Sequence, residues 1–364
     1  MNTATPIRLV AAVITLLFIG QSCALQFSES EDTGLFKSVT AGRSWRQKEV
    51  LRLRDGTTAT LNEVDVTRIV VDARRPQRIF MGTARGGLFA SENGGEEWLQ
   101  LISGQIVSDI AIDPTSRCQL YFSTPAAVMR TTNCADSWEM VFRETRDGVA
   151  IRSIALDYSN PSVVYISTTA GDLFVSADGG LTWRTLYREP GRRFTKFIID
   201  PFLPSILYLA DEGGYMIRSA DRGVTWQDIS ANLASFPDAR SYRAFEILGN
   251  PDSYFYASGQ GLFLSTNGGA EWLRIPLLTP QGSAPILLAG ANIRNDREFF
   301  YVTRNTFYHT VDRGEHWFAQ SLPSGTIPAA LAVDPTNAAV HYLGFRKDRR
   351  DLEPFWYYGS ETFY

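Results

Sequence analysis

The sequence predicts an all-β fold, a seven-bladed β-propeller whose blades are four-stranded antiparallel sheets. Three observations predict it. A short phrase that ends in tryptophan recurs seven times, short β-type runs separate its copies, and the two ends of the chain carry complementary parts of one unit. The composition, 44% hydrophobic and 20% charged residues in a chain of 364, is typical of a soluble globular protein.

The recurring phrase is an eight-residue segment that in its full form begins with serine. It reads Ser-Ala-Asp-Gly-Gly-Leu-Thr-Trp over residues 176–183 and Ser-Ala-Asp-Arg-Gly-Val-Thr-Trp over residues 219–226. A period of this kind indicates a repeat architecture. By subtraction, successive copies are 40 to 53 residues apart, and they end at Trp45, Trp98, Trp138, Trp183, Trp226, Trp272 and Trp317.

The residue types of the phrase predict a turn rather than a catalytic site. The third position is Asp178, Asp221 and Asp312 in three copies, asparagine in three others and Thr40 in the first. A catalytic carboxylate would not be expected to alternate in this way. We expect the Asp or Asn to accept backbone hydrogen bonds in its own turn, the glycine to take a positive φ, and the tryptophan to fill the gap between blades.

One repeat has the pattern of four β-strands. In residues 154–183 an apolar run that ends at Asp157 is followed by a turn at Asn160-Pro161, by two further β-type runs and by the phrase. The first run is apolar throughout, which suits a strand buried on both faces and predicts the innermost position. A fourth strand is expected after each tryptophan. Four antiparallel strands every 40 to 50 residues are typical of a propeller blade.

The ends of the chain predict how the ring closes. The Trp45 copy lacks a first strand of its own, because residues 34–38 follow directly on the N-terminal segment. A spare first half lies at residues 331–344. We therefore expect the C-terminal strands to pair with the N-terminal strands in one composite blade, which makes the count seven.

The N-terminal segment resembles an export signal. Arg8 precedes an unbroken small and apolar run, residues 9–20, that is shorter than the ~20 residues of a transmembrane helix. Two processing routes stay open: cleavage after Ala24, or lipidation of Cys23 as in bacterial lipoproteins, although Gly20 stands where such signals usually have leucine. Both predict an exported protein, periplasmic or extracellular, with contact to a membrane only through a lipid on Cys23.

The other two cysteines are Cys118 and Cys134. If a strand from Cys118 turns near Pro125 and a second strand returns toward Asn133, the two side chains face one another across the open end of a hairpin. We expect a disulfide, which an exported compartment permits, and the alternative is two buried free thiols. The sequence has no Cys-x-x-Cys pair and no Cys/His cluster, so we predict no metal site and no cofactor.

The phrase Ser-x-Asp-x-Gly-x-x-Trp, with a preceding Gly-Leu-Phe-x-Ser strand, resembles the Asp-box, or bacterial neuraminidase repeat, from Gly34 to about Phe345. The resemblance implies a propeller and leaves the activity open. The repeat occurs in sialidases, in xyloglucan-type glycoside hydrolases, in sortilin-type receptors and in propellers that help to assemble photosystem II. In size, blade count and termini the chain is most similar to the last group, the single-domain propellers that resemble the photosystem II stability and assembly factor.

The chain departs from the other groups. Sialidases carry an Arg-Ile-Pro segment ahead of the first box and have six blades, whereas here Arg274-Ile275-Pro276 follows the sixth box and seven blades are predicted. Xyloglucan-type hydrolases are built from two seven-bladed propellers with a cleft between them, and this chain supplies one propeller. Sortilin-type receptors have a larger ring followed by cysteine-rich modules, which this sequence lacks.

Function is expected on the face opposite the phrases, where loops are free to vary. Guanidinium groups bind carboxylates through paired hydrogen bonds, so basic residues there suit an acidic peptide, a carboxylate or an anionic glycan. The assembly-factor family is likewise thought to present a basic patch to its client. The alternative is that these residues pair with Glu144, Asp147, Glu189 and Asp238 nearby. The basic residues predicted to bind are Arg68, Arg152, Arg188, Arg192, Arg193, Lys196, Arg240 and Arg243.

Catalysis has weaker support. Glu63 and Asp65 precede the innermost strand of the second unit, and Asp109 has the corresponding place in the next. Two carboxylates roughly 5 to 10 Å apart could hydrolyse a glycosidic bond. No catalytic triad, metalloprotease or phosphate-loop motif occurs. The net charge of −4 and the lack of a nucleic-acid-binding motif argue against nucleic acid as a partner.

These observations predict an exported, monomeric, non-catalytic propeller that binds a protein or peptide client through its arginine-bearing face. Glycan binding or glycoside hydrolysis is the alternative. The expected organisation is an export signal in residues 1–24, a linker in 25–33, the propeller in 34–345, and a charged and aromatic tail in 346–364.

Overall fold

Four-stranded antiparallel sheets follow one another seven times, which confirms the predicted seven-bladed propeller. The computed structural model describes residues 33–53, 55–250, 252–280 and 282–347. In at least six of the seven pairs of neighbouring blades the first strands contact one another, so they line a central channel. Among these residues no helix is both long enough and apolar enough to cross a bilayer. The predicted signal and Cys23 lie outside the described residues, as does the tail beyond Lys347.

The strands are numbered in chain order. The chain begins with β1 (Gly34–Ser38), β2 (Arg46–Gln47) and a separate hairpin of β3 (Val50–Arg52) and β4 (Thr58–Thr60). Blade 2 consists of β5 (Val66–Val71), β6 (Ile79–Thr83), β7 (Leu88–Ser91) and β8 (Leu99–Ile102). Blade 3 consists of β9 (Asp109–Ile112), β10 (Leu120–Ser123), β11 (Ala127–Thr131) and β12 (Glu139–Arg143). Blade 4 consists of β13 (Ile151–Asp157), β14 (Asn160–Thr168), β15 (Asp172–Ser176) and β16 (Arg184–Arg188).

The second half of the chain continues the pattern. Blade 5 consists of β17 (Phe194–Ile199), β18 (Leu207–Asp211), β19 (Met216–Ser219) and β20 (Gln227–Asp228). Two 3-10 helices, Ala231–Leu233 and Pro237–Ala239, follow it. Blade 6 consists of β21 (Tyr242–Ile247), β22 (Tyr254–Ser258), β23 (Leu262–Ser265) and β24 (Leu273–Ile275). Blade 7 consists of β25 (Leu288–Ala291), β26 (Phe299–Val302), β27 (Thr306–Thr310) and β28 (Phe318–Ser321), and the chain ends with β29 (Ile327–Asp334) and β30 (Asn337–Arg346).

Blade 1 is the predicted composite blade. Its strand order is β2-β1-β30-β29, so both ends of the described chain contribute to one sheet. Gly34 pairs with Phe345 and Ser38 pairs with His341. His341 is fully buried against the rings of Phe300 and Phe307 in blade 7. Burial, together with the charge of His309, lowers the pKa of His341 to about 3, so the closing sheet holds a neutral imidazole.

The seven phrases form the turn between the third and fourth strand of each blade, and all make the same hydrogen bonds. In blade 4, Ser176 Oγ accepts the Gly180 amide at 2.8 Å and Asp178 Oδ1 accepts the Thr182 amide at 2.9 Å. Both bonds recur in the other six copies, with the Thr40 hydroxyl in the place of the Asp in blade 1. The phrase is therefore a structural turn.

A third bond ties this turn to the turn between the first and second strand. In blade 4 the Gly179 amide donates to the Ser162 carbonyl oxygen at 2.8 Å, and an equivalent bond occurs in each of the seven blades. The donor and the residue after it have positive φ in every copy, as Gly179 (74°) and Gly180 (99°) do in blade 4. We call these three bonds together the turn clamp.

Blade 3 carries the copy with the least glycine. Cys134 and Ala135 occupy its two positive-φ positions, at 59° and 71°. A left-handed conformation costs a residue other than glycine roughly 1 kcal/mol. In this blade Cys134 is joined by a disulfide to Cys118, whose carbonyl oxygen also accepts the Cys134 amide. The covalent bond thus reinforces the same connection between turns that the other six blades make by hydrogen bonds alone.

The hydrophobic core lies between the blades. Seven clusters of buried apolar side chains form among the described residues, and each draws on two neighbouring blades. Three of the phrase tryptophans pack against the preceding blade: Trp183 on Phe142, Trp45 on Phe307 and Trp226 on Tyr187, with ring centroids 5.3, 5.4 and 5.2 Å apart. The contact of Trp45 closes the ring between blade 1 and blade 7.

The turn clamp predicts a measurable loss in the variant Ser176→Ala. The buried Gly180 amide would lose its acceptor, so the free energy of unfolding should fall by about 1 to 3 kcal/mol in urea titration. Ser103→Ala, at an exposed serine of a loop, serves as the control and should change stability by less than about 0.5 kcal/mol. Equal stability of the two variants would contradict the role of the clamp.

Candidate binding site at the channel mouth

One end of the channel carries no turn clamps. Because successive strands of a blade are antiparallel, the connections between second and third strands lie at the same end as the connections between blades. The clamps lie at the other end. We call the end without clamps the mouth face. It includes residues 84–87, 144–150, 189–193, 212–215 and 229–241.

Charged side chains occupy one equivalent position of the innermost strands in half of the ring. The position lies four residues before the residue that ends each innermost apolar run, such as Asp72 or Asp200. It is polar or charged in blades 2 to 5 and apolar in blades 6, 7 and 1. In that order the residues are Arg68, Asp109, Ser153, Lys196, Ala244, Leu288 and Ala330.

Asp109 joins the innermost strands of four blades. It is 2% exposed, and its Oδ1 lies 2.8 Å from Arg68 Nε in blade 2. Its Oδ2 accepts the Ser153 hydroxyl of blade 4 at 2.9 Å and lies 3.4 Å from Lys196 Nζ of blade 5. Burial by itself would raise the pKa of Asp109, but the two cations and these hydrogen bonds outweigh it and lower the pKa. Asp109 is therefore an ionised partner of two cations.

The cations of the inner channel lie close to carboxyl groups. Burial and the neighbouring Arg68 lower the pKa of Lys196, while Asp109 opposes them. Glu246 faces the same group from blade 6; burial raises its pKa, and Lys196 and Arg68 offset part of that rise. In this region Arg68 and Lys196 thus face the carboxyl groups of Asp109 and Glu246.

The predicted arginines at the rim fall into two sets. In the first set each guanidinium contacts a carboxylate, although only Glu189 is one of the carboxylates named in the pairing alternative. Arg188 contacts the buried Asp172. Arg192 lies 3.1 Å from Glu189 and 3.2 Å from the buried Asp211, and its guanidinium stacks 3.6 Å above the Tyr215 ring. Arg193 Nε lies 2.6 Å from Glu212, and both side chains of that pair are largely exposed.

The second set has no carboxylate partner among the described residues. Arg243 donates to the carbonyl oxygens of Ile286 and Tyr242, and Arg240 is exposed at the end of the insertion after blade 5. A further predicted residue, Arg152, is exposed at the start of the innermost strand of blade 4 and is not part of this set. Sequence reasoning missed Arg85 and Arg304, which are exposed in connections between second and third strands and form no salt bridge within the described chain. The sequence signal that could have identified both arginines is their position between the second and third β-type runs of a repeat.

The three candidate catalytic carboxylates do not share a hydrogen bond or salt bridge in the described part of the chain. Glu63 is exposed, and Asp65 accepts the Lys347 amide at 2.7 Å through Oδ1. A general acid of a glycosidase needs a raised pKa, whereas the pKa of Asp109 is lowered. The arrangement of Asp109 suits a structural ion pair better than acid catalysis.

One exposed group at the clamp end resembles a cation site in its residue types. Asp312, Glu315 and His316 hold possible ligand atoms within 4.8 Å of one another. His316 Nδ1 lies 2.7 Å from Asp312 Oδ2. In two other copies a threonine hydroxyl donates to the equivalent Asp, as Thr182 does, so the turn itself accounts for this contact.

Comparison with known proteins supports the fold. No protein-family model matches the chain, and neither does any curated protein sequence. YCF48 from Cyanidioschyzon merolae superposes with a TM-score of 0.59 at 15% identity, over 78% of this chain and 96% of that one. A structure of YCF48 bound to D1 peptide gives 0.58 at 15% identity, over 78% and 94% of the two chains. The GH74 xyloglucanase from Xanthomonas campestris gives 0.62 at 16% identity, over 78% and 51%.

These likenesses confirm that the chain resembles assembly-factor-like and xyloglucanase-type propellers, and at such identities they show the fold alone. The chain spans about half the length of the GH74 xyloglucanase and nearly all of YCF48.

We call Asp109 and its contacts with Arg68, Ser153 and Lys196 the Asp109 hub. We expect the variant Asp109→Asn to be less stable than the wild type, by an amount that depends on pH. Arg68 and Lys196 would lose their counter-charge, so the free energy of unfolding should fall by about 3 kcal/mol at pH 7. Because the folded pKa of Asp109 is below its unfolded value of ~3.9, its contribution is present above that pH and is lost as the pH falls. Urea unfolding at pH 7 and pH 3 should show the two proteins converging in acid.

The matched control is Asp221→Asn, since asparagine occupies the equivalent position in three other copies of the phrase. It should change stability much less than Asp109→Asn at pH 7. An Asp109→Asn protein as stable as the wild type would show that the hub is dispensable.

Proposed function

We propose that this chain is a binding propeller that captures a protein or peptide client at the mouth face. The observation that supports this most directly is the division of the rim arginines: Arg240 and Arg243 lack a carboxylate partner among the described residues, and Arg193 has only an exposed one. The structural neighbour YCF48, which has been solved with D1 peptide bound, gives the proposal a precedent on the same fold.

The rim arginines differ in whether their carboxylate partners are exposed or buried, and this difference indicates which of them can bind a client. An exposed salt bridge contributes only ~0–1 kcal/mol, so a client carboxylate can replace Glu212 at Arg193 at little cost. Arg192 contacts the buried carboxylate of Asp211, and its release would leave that charge unpaired. The buried Asp172 beside Arg188 is also paired with Arg146 at 2.7 Å, so it would keep one cation if Arg188 moved. We therefore assign Arg193 and Arg240 to client binding, and Arg192 to holding the rim. An acidic segment of the client fits these groups.

A glycan-binding or glycoside-hydrolysing propeller is the second candidate. It is favoured by the likeness to two GH74 enzymes, with TM-scores of 0.62 and 0.61, and by the carboxylates Glu63 and Asp65 at the mouth face. The chain spans 51% and 53% of those enzymes, and a xyloglucan-type cleft needs two propellers. A single propeller would have to bind the glycan on its own mouth face.

We further propose that the protein is exported and works as a monomer. The apolar run at residues 9–20 supports export, and the disulfide between Cys118 and Cys134 fits an oxidising compartment. Intact mass spectrometry of soluble and membrane fractions should give either a chain that starts at Leu25 or one that starts at an acylated Cys23. An unprocessed chain in both fractions would contradict export by this signal.

Charge reversal at the rim should impair client capture. With the Arg193→Glu, Arg240→Glu double variant as bait in an extract of the source cells, recovery of the main co-purifying protein should fall at least ~ten-fold relative to wild type, because both changes oppose an acidic client. The control is Arg74→Glu, which makes the same kind of charge change at an exposed arginine of the clamp end. It should leave recovery unchanged.

Equal recovery with the wild type, the double variant and Arg74→Glu would contradict client binding by Arg193 and Arg240. Hydrolysis of a glycan by the purified protein, abolished by Asp65→Asn or Glu63→Gln, would instead establish the second candidate.

A further inference from the structure

The exposed apolar side chains at the tips of the clamp end form two groups: Val39 (61%) and Val311 (58%) in blades 1 and 7, and a larger group in blades 4 and 5. Four side chains at the tips of turns in blades 4 and 5 are more than half exposed: Leu181 (65%), Phe202 (55%), Leu203 (56%) and Val224 (80%). We call them the blade 4–5 patch. Exposed apolar side chains that occur singly need no explanation, but four on adjacent turns indicate a contact surface.

The repeat supplies an internal comparison for Phe202 and Leu203. Asp200 Oδ1 accepts both of their amides, at 2.8 and 3.0 Å, and the Asp that ends the innermost run makes the same two bonds in blades 1 to 4. The geometry therefore does not require apolar side chains. In those four blades the two positions are Thr336-Asn337, Arg74-Arg75, Thr115-Ser116 and Ser159-Asn160.

The second comparison concerns Leu181 and Val224. Each follows the second positive-φ residue of its turn clamp. In the other five blades the same position holds a charged residue or alanine: Arg43, Glu96, Asp136, Ala270 and Glu315. Large apolar residues thus appear at two different tip positions, and at both they are confined to blades 4 and 5.

The tips are held together and held rigidly. The Arg222 amide donates to the Ser205 carbonyl oxygen at 3.0 Å, and Arg222 Nη1 lies 2.9 Å from Asp157 Oδ2 of blade 4. Pro201 and Pro204 enclose the Phe202-Leu203 pair and limit its backbone freedom. Little conformational entropy is therefore lost when these side chains enter an apolar phase.

We propose that the blade 4–5 patch rests on the interfacial region of a lipid bilayer whose surface is zwitterionic. Protruding turn tips fit a bilayer, which accepts convex apolar side chains, whereas a folded partner must offer a matching pocket. The charges nearby do not favour anionic lipid: Arg222 is paired with Asp157, Asp178 and Asp221 adjoin the patch, and the whole chain has a net charge of −4. Contact at this end leaves the mouth face directed away from the membrane.

The test is hydroxyl-radical footprinting of the full chain with and without phosphatidylcholine vesicles. Labelling of Phe202 and Leu203 should fall by about three-fold or more with vesicles, because their side chains leave water. Met140 and Leu273, exposed on the outer strands of blades 3 and 6, are internal references that should keep their labelling. Added salt should have little effect, since burial of apolar surface drives the contact.

Matched variants complete the test. Phe202→Ser with Leu203→Ser should abolish the protection of Leu181 and Val224, while Arg74→Ser with Arg75→Ser, at the equivalent turn of blade 2, should retain it. Unchanged labelling of the patch with vesicles would overturn the proposal. So would protection that appears without vesicles and grows with protein concentration, because it would assign the patch to a second copy of the chain.

Discussion

The turn clamp is the constraint on which the rest of this structure depends. A propeller blade is a twisted four-stranded sheet whose two turns at one end have to stay in register with those of its neighbours. Here a hydroxyl and a backbone carbonyl oxygen each accept an amide at equivalent places in seven blades, and a carboxylate or amide oxygen accepts a third in six of them, with the Thr40 hydroxyl in its place in blade 1. Because this end of every blade is fixed in the same way, the loops at the mouth face are free to differ in length and charge. The insertion after blade 5, with its two 3-10 helices, is one result.

Charge pairing is the second organising feature. Asp109 ties the innermost strands of blades 2 to 5. At the rim Asp172 pairs with both Arg146 and Arg188, and Asp211 pairs with Arg192. Buried carboxylates of this kind are costly unless paired, so the arginines beside them are committed to the fold. The cations that we propose for client binding are therefore a smaller group, which includes Arg193 and Arg240. Many arginines on one face therefore do not amount to one large anion site.

The fold could be predicted from the sequence because its determinants are local and repeated. The Ser, Asp and Trp positions of the phrase recur with little change. The unit that ends at Trp45 lacks a first strand, so the spare strands at the C-terminal end of the propeller are expected to complete its blade and close the ring. The hairpin of β3 and β4 was not predicted, since it belongs to no repeat. The site was harder to predict, because a salt bridge between Arg68 and Asp109 joins residues of different blades. Aligning the innermost strands on their final residues would have revealed that Arg68, Asp109, Ser153 and Lys196 share one position.

The most direct test of the central claim is photo-crosslinking of the protein to its co-purifying client. A photoreactive amino acid would replace Arg240 at the mouth face in one variant and Arg74 at the clamp end in another. The account predicts a covalent adduct with the client from position 240 and none from position 74. An adduct formed only from position 74 would contradict binding at the mouth face.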